Sequence, residues 1–417
     1  MVEKCKRSSH IQKFWSASFF IYIICMITFT GTSNTAIINK IALYIFLGIS
    51  IINIIQIGKL KLNAFCVSLI LYGTLLIISW FYSPSQNIAM EYLYNYWTLV
   101  VICVFVVNYI DSAEKANLLL DAYILGGLCL CLYAFSFYGS SIFNVVTQTQ
   151  YGIRVGSEVG DTNAVGLSYA MSAILAMFSL IYLHTRLTKR LYYIILIPIC
   201  TIFALLSGSK KVFILFFTAI VLLFLLKKII RNSLLKKAGL IILGAFLIYL
   251  LIYIIQNIPQ FKTINERLQD MLNLVFLGGG TETDMTRKYF IQKGFEVFAD
   301  HPLFGAGGAS SYSYFGTYSH NNYIEILMNT GMIGFILFYF PYFIFFFQLR
   351  KINSINQPFK IFAIIFIISH LILGVALIYY YDRYIQIMFA GISAFLSCAS
   401  NNTIKSSKES VRRIQLK

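Results

Sequence analysis

His320 stands just before the pair Asn321–Asn322 and a long apolar run, in the segment SHNNYIEILMNTGMIGF. Asn322 and Glu325 make an N-x-x-E pair, which reads as a capping box at a helix start. A histidine beside such an N-terminus feels a positive dipole that favours the neutral imidazole. That is the form a general base needs at neutral pH. The plain alternative is an interfacial histidine bonded to water or carbonyls, and residue types alone leave both open. Arg154, Arg287, Lys210 and Lys211 are cations in polar segments between apolar runs. Arg grips phosphate bidentately and Lys acts as a compact point charge, so their convergence would make a site for a diphosphate headgroup. Surface cations matched by Glu158, Asp161, Glu282 and Asp284 are the competing reading.

Other polar residues point to structure more than chemistry. Glu282 and Asp284 could ligate a divalent cation, but they fit better as the acidic first turn of a helix over roughly Asp284–Phe298. No metal centre is expected. His301 precedes Pro302 in a turn, and His370 lies mid-span, where it could bond a neighbouring helix. The tyrosines at 312–323 and 379–384 fit an interfacial belt, although sugars also stack on such rings. Gly331 and Gly334 suit close helix packing.

The elements that must position these groups are membrane helices. A composition 59% hydrophobic and only 12% charged, with mean hydropathy +0.75, excludes a soluble domain. Runs of about 18 or more apolar residues read as transmembrane helices. About twelve such runs are expected, near 14–30, 36–57, 62–82, 88–109, 117–138, 161–184, 190–206, 212–226, 239–258, 322–347, 359–380 and 384–400. The fold class is thus an all-α polytopic membrane protein, a single membrane domain over 1–417. A long extracytoplasmic loop, 259–321, precedes the third-last helix and includes an amphipathic stretch over Phe261–Phe276.

With a cytoplasmic N-terminus, most of the 33 Lys and Arg residues fall on the inner side and most of the 16 acidic residues on the outer. That asymmetry is the positive-inside pattern, so the net charge of +17 marks topology and not nucleic-acid binding. The eight cysteines show no CxxC or metal spacing and read as small apolar residues. Irregular backbone is too costly inside lipid unless protein shields it. A polar loop carrying Arg287 and His320 is therefore where chemistry is expected.

Arg287 with its helix, then HPLFGAG, then SHNNYIEILMNTGMIGF resemble the hallmark region of O-antigen ligases and Wzy-type O-antigen polymerases. RVGSEVGDTNAVG at 154–166 and SGSKK at 207–211 are similar to two further segments of that family, so the resemblance covers nearly the whole chain. Lys210 replaces the Arg that the family usually carries after Gly-Ser, keeping charge but losing the fork. The polymerase pattern of Arg followed eleven residues later by Gly meets Val165 after Arg154, with Gly166 next, and Phe298 after Arg287.

The resemblance implies a glycosyltransferase of the bacterial cytoplasmic membrane, multi-pass, with its active site facing the periplasm or exterior. Its donor would be a glycan on undecaprenyl diphosphate, and its acceptor a sugar hydroxyl. His320 would be the base and Arg287 a second catalytic residue. Arg154, Lys210 and Lys211 would bind the diphosphate, with Asn321, Glu325 and Tyr323 in support. No cofactor is implied; partners would be the bilayer, the lipid-linked glycan, the acceptor glycan, and a flippase and chain-length regulator of the same pathway. A polymerase of O-antigen, capsule or exopolysaccharide is favoured. A ligase differs only in acceptor. A non-enzymatic lipid-sugar flippase or transporter would need ionisable residues along a path through the membrane, where His370 is nearly alone. The topology has a direct test: a reporter active only outside the membrane should be active when fused at Gly279 and silent at Ser233. The reverse pattern would overturn the outward-facing site.

Overall fold

The computed structural model describes residues 2–29, 33–139, 155–183, 185–226, 281–352 and 357–415, with positions 253, 256–257, 265–266, 269–270 and 273. Arg154, nearly all of the expected span 239–258 and most of the amphipathic stretch lie outside the described residues.

Within them the chain is helical, with no strand. Seven long apolar helices come first, α1 Val2–Thr28, α2 Ser33–Ile57, α3 Ala64–Phe81, α4 Gln86–Tyr109, α5 Ala113–Tyr138, α6 Thr162–Tyr182 and α7 Leu187–Leu206, followed by the shorter α8 Lys210–Leu225. After the loop come α9 Glu282–Asp300, α10 Ser310–Phe315, α11 Asn322–Arg350, α12 Gln357–Leu373 and α13 Arg383–Gln415. Eight of the described helices are long and apolar enough to cross a membrane; α12 and the apolar part of α13 are shorter. Side-chain oxygens start several of them. Asn63 accepts from Cys66 N, Ser112 from Lys115 N and Asp161 from Ala164 N, which satisfies amide groups that a helix leaves free at its start.

Helices α1–α8 and α11–α13 share one continuous apolar core, while Val297 of α9 packs separately on Ile324 and Met328 of α11. α1 packs on α2 and α5, α5 on α6, and α6 on α7 and α8. α3 packs on α4 and α11, and α13 touches α3, α4, α5 and α11. In α6, 72% of the span is buried inside the protein, against 28% in α2. α6 is therefore an inner helix, while α2 turns its isoleucines outward as a lipid-facing element would.

α11 is broken at Gly331, where φ is 63° and ψ −161°. The break frees backbone groups that lipid could not satisfy, and residues 302–306 satisfy them. Met332 N donates to Pro302 O at 2.9 Å, Ile333 N to Leu303 O at 3.2 Å, and Ala306 N to Met328 O at 2.7 Å. The approach is so close that a Cβ on Gly331 would lie 2.4 Å from Leu303 O, and one on Gly305 2.5 Å from Thr330 N. Both glycines also have positive φ, where side chains are strained. Gly331 thus serves a docked loop, where close packing of helices was expected. The same loop reaches α3: Gly308 N bonds Ser79 O, and Tyr82 OH donates to Phe304 O.

Two more expectations shift. The helix expected to run to 380 ends at Leu373, and Tyr379 and Tyr380 are 0% and 1% exposed. These two rings are core, not interfacial belt. His370 bonds Phe366 O of its own helix through Nδ1 at 2.8 Å, where a bond to a neighbouring helix was expected.

Gly331→Ala should lower the detergent-solubilised protein's unfolding temperature sharply. Its backbone strain alone costs about 1–3 kcal/mol, and the clash with Leu303 O adds to it. Gly48, which has open space around it inside α2, is the control. There alanine should be neutral or stabilising, by up to about 1 kcal/mol. Equal behaviour of the two variants would refute the docking account.

Candidate active site at one end of the bundle

The site is built around the first two turns of α11. Asn321 is the N-cap; its Oδ1 accepts from Tyr323 N at 2.9 Å and Ile324 N at 3.1 Å. The cap is thus one residue earlier than the N-x-x-E pair suggested. Asn322 instead lies inside the helix, where its Oδ1 accepts from Tyr379 N and Tyr380 N and its Nδ2 donates to Tyr339 OH. That amide ties the start of α11 to the turn before α13.

Glu325 does not bond back to the cap. It is fully buried and accepts from Ser319 N at 2.8 Å and Ser311 Oγ at 2.7 Å, with Asn329 Nδ2 at 3.4 Å. One turn further on, Asn329 Oδ1 accepts from Ser310 N and Oγ, both at 3.1 Å. Two buried polar residues four apart on one face of α11 therefore hold α10 and the 319–321 turn. Sequence reasoning missed Asn329 and both serines. The signal was there, since Glu325 and Asn329 are i,i+4 polar residues inside an apolar run.

This scaffold fixes His320, whose φ of 59° is uncommon for a residue with a side chain. The imidazole is half-buried, with its centroid 4.2 Å from Tyr318 and parallel to Phe290 at 6.5 Å. Burial, then the charges of Arg287 and Lys211, push its pKa down to about 4, with Asp161 opposing. His320 is thus neutral at pH 7, for reasons that burial and cations dominate. Its Nδ1 and the Nε of Arg287 are buried and have no hydrogen-bond partner among the described residues.

The two lysines of α8 divide. Lys210 Nζ bonds Asp284 Oδ2 at 2.9 Å, while Lys211 is 6% exposed and acts electrostatically on His320. Burial pushes the Asp284 carboxyl up, but hydrogen bonds from Thr281 and Lys210 outweigh it and hold the group below the usual range. Asp284 also accepts from Thr281 N and Oγ1, so it closes the start of α9 as an acidic first-turn residue. Among the described residues no three His, Cys, Asp or Glu side chains group as metal ligands.

Segments distant in sequence meet here. Ser209 Oγ donates to Asn163 Oδ1 at 2.9 Å, and Val155 N to Leu206 O at 3.3 Å, which joins the start of α6 to the 207–211 turn. The structure brings His320, Arg287, Lys211 and Asp161 within mutual influence. Asp161, seen in the sequence only as a counter-charge, belongs to that group. Tyr323 points away, donating its hydroxyl to Leu371 O, and braces α11 on α12. Such a group of a neutral base beside two cations can deprotonate a hydroxyl and hold an anionic leaving group.

Residues 194–339 match the family model described as O-antigen ligase. The match runs from within α7 to within α11 and takes in Lys210, Lys211, Arg287, His320, Asn321, Tyr323 and Glu325; Arg154 and Asp161 precede it. No curated protein matches the chain. The match supports a glycosyl-transferring function of the O-antigen ligase and polymerase type in a multi-pass membrane protein.

Glu325→Ala would strip the acceptor from three buried donors, each costing about 1–3 kcal/mol when left unpaired. We expect a lower unfolding temperature and faster hydrogen exchange over 310–321, with Glu325→Gln clearly milder. Unchanged exchange in Glu325→Ala would show that the 319–321 turn is held by something else.

Proposed function

We propose that the chain is a polysaccharide polymerase for O-antigen, capsule or exopolysaccharide. It transfers a glycan from undecaprenyl diphosphate to an acceptor sugar hydroxyl at the outer face of the bacterial cytoplasmic membrane. The observation that carries this reading is the neutral His320 set beside Arg287 and Lys211 at one end of a membrane bundle. In the transfer the acceptor oxygen attacks the anomeric carbon. The bond from that carbon to the diphosphate oxygen breaks, and the diphosphate leaves with the electron pair. His320 takes the hydroxyl proton; Arg287 and Lys211 face the charge that develops on the leaving group. Arg154 would add to the diphosphate contacts, while Lys210, paired with Asp284, secures the start of α9. Asn321 caps α11, Glu325 fixes the 319–321 turn and Tyr323 braces α11 on α12.

An imidazole with a pKa near 4 is unprotonated but a weak base, since the best catalytic pKa lies near the working pH. A bound diphosphate offsets the two cations and raises the proton affinity of the ring. Donor binding therefore strengthens the base at the moment it is needed.

A ligase-type transfer to a different acceptor is the second reading, favoured by the description of the matching family. Against a transporter stands the grouping of Arg287, Lys211, Asp161 and His320 at one end of the bundle, with His370 satisfied within its own helix. A flippase and a chain-length regulator of the same pathway are the expected partners.

With purified protein and lipid-linked donor, His320→Ala should cut transfer by about 10²–10⁴ at normal protein yield, and His301→Ala by far less. Arg287→Lys should recover little, since the fork geometry is lost. The acid limb of kcat/KM should lie near pH 4, because protonation of the free enzyme's base extinguishes the reaction. Removing a cation relieves the downward push, so Arg287→Gln should shift that limb upward, towards the ordinary histidine value of about 6.5. Wild-type turnover in His320→Ala, or a limb that does not move in Arg287→Gln, would sink the base assignment.

A further inference from the structure

Three tyrosines from separate elements meet beside the His320 turn. Tyr92 lies near the start of α4, Tyr312 in α10 and Tyr381 in the turn before α13. The Tyr92 ring stacks on Tyr381 at 4.9 Å and 25°, and meets Tyr312 edge-on at 6.0 Å. Tyr92 OH donates to Tyr312 OH at 2.9 Å, and Tyr92 and Tyr381 also share a hydrogen bond. All three are only partly buried, whereas the adjacent Tyr96 and Tyr380 are core. An interfacial anchor turns its hydroxyl towards the headgroup region; these hydroxyls turn towards one another, and each of the three residues keeps part of its surface exposed.

Tyr318 connects the cluster to the reacting groups. Its ring is 4.2 Å from His320, and its hydroxyl interacts electrostatically with Tyr312 and Tyr381 as well as with Asp161 and Arg287. The cations Arg287 and Lys211 act on His320, while the charged side chain that acts on Tyr381 is the buried Glu325. A diphosphate belongs with the cations. The electron-rich ring faces instead suit the slightly positive C–H face of a neutral sugar.

We propose that Tyr92, Tyr312 and Tyr381 form the acceptor subsite, a platform on which a sugar ring of the acceptor glycan stacks with its nucleophilic hydroxyl towards His320. This rests on the transferase reading above and adds where the second substrate binds. Tyr318 spans the platform and the base, so the acceptor reaches His320 from a side that the diphosphate does not occupy.

The test uses full-length protein in nanodiscs, its lipid-linked donor, and as acceptor probe the oligosaccharide released from that donor by mild acid. Tyr312→Ala and Tyr381→Ala should raise the acceptor KM about five- to tenfold, the scale of one lost aromatic contact, with donor KM within about twofold of wild type. Tyr312→Phe and Tyr381→Phe should recover most of the loss, because the ring face remains. Binding of the probe alone, titrated by saturation-transfer NMR, should keep its wild-type Kd in His320→Ala and weaken about five- to tenfold in the alanine variants. Where an alanine variant is not monodisperse, leucine, which keeps bulk and removes the ring, carries the same comparison. If His320→Ala abolishes transfer while the alanine variants keep a wild-type acceptor KM, the subsite is wrong and the transferase reading stands. A rise in donor KM alone would place the donor's glycan on the platform and overturn the acceptor assignment. Full transfer in His320→Ala would remove the reading on which the subsite rests.

Discussion

The docking of residues 302–306 into the break of α11 at Gly331 is the constraint on which the rest depends. A helix interrupted inside an apolar bundle must have its freed amides and carbonyls answered by protein. Here Pro302, Leu303 and Ala306 answer them through main-chain bonds. Once that loop is seated, α9 is held against α11, and its Arg287 is brought to the His320 turn. The same loop bonds the end of α3, so Arg287 and the base are referred to one rigid frame.

Within that frame, charge is handled by division of labour between neighbours. Lys210 is spent on Asp284 and the start of α9, which leaves Lys211 to act on His320. Glu325 could have repelled a diphosphate. It is instead sealed beneath the site, with hydrogen bonds from Ser311, Ser319 and Asn329. The result is a site whose accessible groups are cationic or aromatic and whose acidic groups are structural, Asp161 excepted.

Much of the architecture was legible in the sequence because membrane spans announce themselves by length and hydropathy alone. The bounds near 62–82, 88–109 and 117–138 fall close to α3, α4 and α5. The end of α12 was not legible, because Gly374 to Asp382 is as apolar as a helix. It is held open by Asn322, a partner more than fifty residues away in sequence. The helix start at His320 was found but its cap was placed one residue late, since adjacent asparagines are interchangeable until one is bonded elsewhere. That His320 and Arg287 share one polar loop was legible from residue types, while their joint role came from family resemblance. That Lys211, and not Lys210, acts on His320 could not be read at all, because adjacent side chains on a helix diverge by an angle no composition reveals.

Pro302, Leu303 and Phe304 expose their side chains, while the carbonyls of Pro302 and Leu303 hold the broken helix. What this stretch contributes is thus written in its length, not its residues. Substitutions at 302–304 touch nothing the helix reads, whereas inserting or deleting a single residue there slides every carbonyl out of register with Met332 and Ile333. Such a loop is permissive to point change and intolerant of indels. Divergent relatives would be expected to keep its spacing to the helix break long after its sequence has drifted.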